Sequence, residues 1–103
     1  PTLCFYYTYK KGNVLKKHKD RDSCEVVACL CLSMDEQYSS EHKSWPIYLE
    51  KDSKETSVLL EPGDMVIFKG NKMNHWREKF QGEWFVSAIF AYVAKDGDHS
   101  YLK

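Results

Sequence analysis

No stretch of this sequence approaches the ~20 consecutive apolar residues that a membrane-spanning helix needs, so no membrane contact is expected. Neither charge sign is in excess. Fifteen Lys and Arg balance fifteen Asp and Glu, whereas a nucleic-acid module normally carries a basic surplus. Nucleic acid is therefore not an expected partner. Lys10, Lys11, Lys16 and Lys17 do lie close together, and lysines of this kind ordinarily mark solvated strand edges. Paired metal-binding cysteines are missing as well. Cys4, Cys24, Cys29 and Cys31 include no C-x-x-C spacing, which argues against a zinc site. The aromatic-rich chain can build a core without staples, so no disulfide scaffold is expected, and a reducing cytoplasm is the expected location. No helical periodicity of useful length, internal repeat or linker is present. At 103 residues the chain reads as one domain. It starts at Pro1 in what reads as the lead-in to a strand, so an N-terminal part is expected to be missing and targeting is not legible in it.

What the sequence has in plenty is short β-prone runs separated by turn residues. Strands are expected over residues 2–9, 14–18, 24–32, 45–49, 56–60, 65–68, 74–77 and 84–93. Lys10-Lys11-Gly12-Asn13, the polar stretch 51–55, Glu61-Pro62-Gly63-Asp64, Lys69-Gly70-Asn71 and Phe80-Gln81-Gly82 supply turns. Residues 33–44 are polar and read as a loop. Cys29 and Cys31 stand two apart, so in a strand they point to one face, where they act as small buried apolar groups. Eight short strands without helix predict an all-β jelly roll.

His18-Lys19-Asp20 follows a short strand. In extended backbone residues i and i+2 face the same side, so an imidazole and a carboxylate can converge on one ion. A third ligand has to come from elsewhere, and His75 is the best candidate. The turn at residues 61–64 and the strand at residues 65–68 carry the chain back toward the pair before it. His42, in a polar loop, and His99, in the tail, fit poorly. Two imidazoles and one carboxylate make the facial triad of non-haem iron(II) enzymes, which leaves coordination positions open.

Tyr9 to Asp20 resembles the Y-x-x-G-x-x-x-x-x-H-x-D opening of the prolyl 4-hydroxylase-like branch of the iron(II)- and 2-oxoglutarate-dependent oxygenases. The run Leu60-Glu61-Pro62-Gly63-Asp64-Met65-Val66-Ile67-Phe68 resembles the P-x-x-G-[DS] strand before that family's distal histidine, and His75 falls where that histidine stands. The resemblance covers roughly residues 6–93. It implies a double-stranded β-helix, iron(II) held by His18, Asp20 and His75, and 2-oxoglutarate as cosubstrate, with ascorbate in support. The activity it implies is a dioxygenase that hydroxylates a C–H bond of a peptidyl (prolyl-like) or small-molecule substrate, releasing succinate and CO2. Tyr9 matches the tyrosine that hydrogen-bonds the cosubstrate.

The family's basic residue for the far carboxylate of 2-oxoglutarate is replaced here by Phe85; Ser87 keeps the nearby serine position. A buried carboxylate without a cation is costly. Arg77, two residues beyond His75, is the expected replacement and Lys69 the fallback. Trp45, Trp76 and Trp84 are expected in the core or at the rim, with Trp76 also a candidate wall of the substrate cleft. The missing cation leaves a rival reading, a cupin-like barrel that binds metal or a small ligand without turning over 2-oxoglutarate. A vestigial interaction module is a third. Exposed strand edges and many aromatics allow a dimer.

Overall fold

The computed structural model describes residues 1–35 and 45–97. The eight strands are β1 (Leu3–Lys10), β2 (Leu15–His18), β3 (Val26–Met34), β4 (Ile47–Lys51), β5 (Lys54–Val58), β6 (Met65–Phe68), β7 (Asn74–Arg77) and β8 (Trp84–Tyr92). They form two antiparallel four-stranded sheets, ordered β1-β8-β3-β6 and β2-β7-β4-β5. No helix occurs among the described residues, and none is long and apolar enough to cross a membrane. His42, His99 and most of the expected loop at residues 33–44 lie outside the described residues.

All eight expected strands exist, and two have the expected bounds. The main difference is β3, which starts two residues later and continues through Ser33 and Met34. A register shift between Cys31 and Ser33 against β8 explains the extension. The extra residue lets Cys31 and Met34 both point inward although three positions separate them.

Turn chemistry joins the strands. Asp52 and Ser53 both have positive φ, 52° and 64°, which suits the tight two-residue connection between Lys51 and Lys54. Gly12 has a φ of 91°, and its N–H donates to the Phe80 carbonyl at 2.8 Å, while the Phe80 N–H returns to the Asn13 carbonyl at 2.9 Å. That pair of bonds ties the β1–β2 turn to the connection between β7 and β8. The Glu61–Asp64 turn is locked onto β3 by Gly63 N–H to Cys31 O and Cys31 N–H to Asp64 O.

Between the sheets lie two apolar clusters. Tyr9, Cys31, Met34, Trp45, Leu60, Phe80 and Phe85 fill one end; Cys24, Val27, Cys29, Ile47, Leu49, Phe68 and Ala91 fill the other. Trp45 sits at the centre of the first, with ring centroids 4.7 Å from Phe80, 4.8 Å from Tyr9 and 5.2 Å from Phe85, and its indole N–H donates to the Glu78 carbonyl at 2.8 Å. All four cysteines are free thiols.

Phe80 is fully buried at this junction. Phe80→Ala should therefore lower unfolding free energy by ~3–5 kcal/mol, read from the urea midpoint at constant m-value. A loss under ~1 kcal/mol would show that this end of the core is not packed as described.

Candidate metal centre

His18 ends β2 and His75 lies on β7, and the two are direct cross-strand partners. Side chains at such positions stand on the same face, and the imidazole centroids are 4.3 Å apart. Asp20 follows two residues later, its N–H held by the Gly70 carbonyl at 2.8 Å. One ligand atom from each of His18, Asp20 and His75 comes within 4.8 Å of the others.

Backbone carbonyls set the chemistry of this cluster. His18 Nδ1 lies 2.6 Å from the Lys16 carbonyl and His75 Nδ1 lies 3.0 Å from the Met73 carbonyl. A carbonyl only accepts, so each Nδ1 carries the proton and each Nε2 keeps its lone pair. The Nε2 atoms then face the Asp20 carboxylate, His18 at 3.2 Å from Oδ1 and His75 at 3.3 Å from Oδ2. With both imidazoles neutral, three acceptor groups converge with no proton between them. That arrangement repels itself unless a cation sits among them, so the donor set fits a divalent metal. Burial works to raise the Asp20 carboxyl pKa, but an imidazole that takes up a second proton at Nε2 donates to it and pairs with its charge, His75 more than His18, and this outweighs burial and holds Asp20 below the ordinary carboxylate value. The Phe68 ring packs on His75 at 4.8 Å and limits its rotation.

Gly70 has no marked sequence signal, yet the site requires it. A Cβ there would lie 2.5 Å from Asp20 Oδ2, 2.5 Å from Val27 Cγ2 and 2.9 Å from the Cys24 carbonyl. The turn that reads simply as a strand end is thus the backrest of the carboxylate.

The triad opens into a cavity of about 230 Å³. Tyr9, Arg77 and Ser87 line it too, and the rest of its wall is mostly apolar, including Phe5, Leu15 and Ile89. Arg77 is only 2% exposed. Its Nη1 donates to the Trp45 carbonyl at 3.1 Å, and Tyr9 provides a further side-chain hydrogen bond. Its guanidinium carbon lies 4.7 Å from the Trp45 ring, 5.0 Å from Phe85 and 5.7 Å from Tyr9. Burial lowers its pKa, with Tyr9 and the two nearby thiols working against that. Among the described residues Arg77 has no carboxylate partner. Burial likewise raises the Tyr9 phenol above its usual value, with Arg77 pulling it down. Cys29 lines the cavity as a neutral thiol, its pKa pushed to about 11 by burial.

Six expected residues, His18, Asp20, His75, Tyr9, Arg77 and Ser87, thus face one cavity. Lys69 does not: it is exposed and outside the lining. Trp76 is also elsewhere. It alternates with His75 and Arg77 along β7, so it stands on the outer face, stacked on Tyr48 at 5.4 Å beneath the Lys17 ammonium at 4.6 Å.

Gly70→Ala should weaken metal binding by ~10–100-fold, as changes behind metal ligands do, while the fold persists by circular dichroism. His18→Ala and Asp20→Ala should each abolish stoichiometric binding. Unchanged metal content in all three variants would place the ligands elsewhere.

No protein-family model and no curated protein sequence matches the chain. Solved structures do. A Pseudomonas putida prolyl-4-hydroxylase superposes with a TM-score of 0.68 at 23% identity, over 88% of this chain and 51% of that one. Drosophila melanogaster CENP-C bound to CAL1 gives 0.65 at 11% identity, over 85% of this chain and 62% of that one. The cupin domain of an XRE-family transcriptional regulator from Enterobacter cloacae gives 0.52 at 14% identity, over 88% and 81%. The chain therefore spans between half and two thirds of the length of the first two. At these identities the likeness is one of fold: the molecule is a cupin-type jelly roll, an architecture used by an oxygenase and by domains of other kinds.

Proposed function

We propose that this barrel is an iron(II)- and 2-oxoglutarate-dependent dioxygenase of the prolyl 4-hydroxylase-like kind, acting on a C–H bond of a peptidyl or small-molecule substrate. The observation that carries the reading is one cavity holding both a cation-demanding triad and a buried arginine that has no acidic partner among the described residues. A dianionic keto acid needs both: a metal for its keto acid end and a cation for its far carboxylate.

Each group has a task. His18, Asp20 and His75 hold iron(II), which with bound 2-oxoglutarate supplies the oxidising power for C–H hydroxylation. Arg77 offers a planar fork of N–H donors to the far carboxylate. Tyr9 orients that fork through its hydroxyl, and Ser87 adds a donor on the facing strand. Phe5, Leu15 and Ile89 exclude water from the reacting face. The cation that related enzymes place on the last long strand comes here from β7 of the other sheet, and Phe85 provides a ring against which it lies at 5.0 Å. The four free thiols are compatible with a reducing cytoplasm. Zinc, cobalt or nickel will compete for the same ligands during purification.

Anaerobic addition of 2-oxoglutarate to the iron(II) protein should produce a visible metal-to-ligand charge-transfer band, and aerobic incubation should release succinate. Arg77→Ala should raise the 2-oxoglutarate requirement more than ~100-fold, the equivalent of ~3–5 kcal/mol for a desolvated charged partner. Arg77→Lys should fall between, and Lys69→Ala should match wild type. Stoichiometric iron binding in each variant controls for folding. Iron uptake with no 2-oxoglutarate binding in the wild type would favour a cupin-like metal- or ligand-binding barrel instead.

A further inference from the structure

β2 carries His18 on a strand of 4 residues. Among the described residues it stands at the edge of its sheet, with β7 as its neighbour. Leu15 pairs with Arg77 and His18 with His75, so β2 takes one more residue than β7 between the same two pairs. An extra residue of this kind goes unpaired and interrupts the ladder. The other two candidate ligands are better held. His75 lies on β7, which has a strand on each side, and the Asp20 N–H is bonded to the Gly70 carbonyl at 2.8 Å. With both imidazoles neutral the three acceptors repel one another, and the end of β2 is the part that can yield.

What restrains it lies on the opposite face. Lys17, the residue before His18, turns its side chain outward. Its Nζ lies 3.1 Å from Glu50 Oε2 on β4 and 4.6 Å from the centre of the Trp76 ring on β7. One side chain thus reaches across β7 to the strand beyond. Its two contacts are themselves fixed. Glu50 and Asn74 are cross-strand partners, and Asn74 Nδ2 donates to Glu50 Oε1 at 3.2 Å. Trp76 and Tyr48 are partners too, with their rings stacked 5.4 Å apart and 12° from parallel. An exposed ion pair or an exposed cation–π contact is weak alone. Here both converge on one ammonium, and they act where the backbone ladder is interrupted.

We propose that Lys17 is a positioning residue for the candidate metal centre, pinning β2 across its outer face so that His18 Nε2 stays turned toward Asp20 and His75. Glu50 and Trp76 are its seats. The role rests on the metal-centre reading and is independent of which cosubstrate binds. One peptide joins Lys17 to His18, so an ammonium held on the outer face restrains the rotation of β2 that would swing the imidazole away on the inner one. The same restraint keeps the Lys16 carbonyl at 2.6 Å from His18 Nδ1, and with it the tautomer that leaves Nε2 open to a cation. Charge alone gives the opposite expectation. Lys17 repels a cation, so deleting its charge strengthens cation binding through space, whereas loss of positioning weakens it. The sign of the change separates the two.

Cobalt(II) titration of the whole chain, followed by visible absorption, reads that sign. Lys17→Met keeps an apolar stem and removes the ammonium. It should weaken cobalt binding about tenfold, the low end of what groups behind metal ligands contribute, and alter the cobalt spectrum. Lys17→Arg should restore both. Glu50→Gln should weaken binding too, and the double variant with Lys17→Met should lose less than the two single losses combined, because they break one contact. The urea midpoint of the metal-free protein should move little, as for other surface changes. Lys11→Met removes the same charge from the exposed Lys11–Glu83 pair and should leave affinity unchanged. Unchanged or tighter binding in Lys17→Met, or an equal loss in Lys11→Met, would overturn the role and leave the metal centre standing. A wild type that takes up no cobalt would overturn the metal centre and this role together.

Discussion

Arg77 brings a full positive charge into an interior nearly closed to water, and removing such a charge from water costs several kcal/mol even after relaxation. The surrounding structure is arranged to offset that. Trp45 turns its carbonyl and its ring toward the guanidinium, Tyr9 gives its hydroxyl and ring, and Phe85 closes the far side. Tyr9 and Phe85 come from the sheet opposite β7 and Trp45 from the segment before β4, so one buried cation holds the two layers in a fixed relation. A guanidinium has five N–H donors, and Nη1 supplies the one that meets the Trp45 carbonyl.

The candidate metal ligands depend on a different constraint, strand register. His18 and His75 meet because β2 and β7 pair at that point and at Leu15–Arg77, with an irregularity between. A slip of one residue would turn His75 and Arg77 to the solvent side together and bring Trp76 inward. The same pairing thus delivers the imidazole and the guanidinium to one cavity. Asp20 is placed by other means, a backbone bond to Gly70 and the space that glycine leaves.

Much of this was legible in the residues. Alternation located all eight strands, and the i, i+2 rule put His18 beside Asp20 and His75 beside Arg77. Phe85 stands where the resemblance expects a cation, and the extended reading of Asn74 to Arg77 put Arg77 on the same side as His75, where it lines the cavity. Other features depend on tertiary contact and leave weak local traces. The bulge that extends β3 through Met34 is set by its pairing with β8, so a pattern read along one strand stops at Leu32. Gly70 resembles any turn glycine until the position of Asp20 is known. Trp76 adjoins the candidate ligand His75 in sequence, but period-two geometry sends it to the opposite face. Lys69 lies at the end of β6, where the chain turns outward and its ammonium stays in water.

Cys29 faces the same cavity as the triad, with its thiol pKa raised to about 11 by burial. Oxidants attack the thiolate, and the ladder from sulfenic to sulfonic acid begins there. At neutral pH nearly all of Cys29 is protonated, and Cys31, also at about 11, is in the same state. A centre that handled oxygen could therefore keep sulfur in its wall without consuming it. The apolar packing that shapes the barrel also gives it chemical durability.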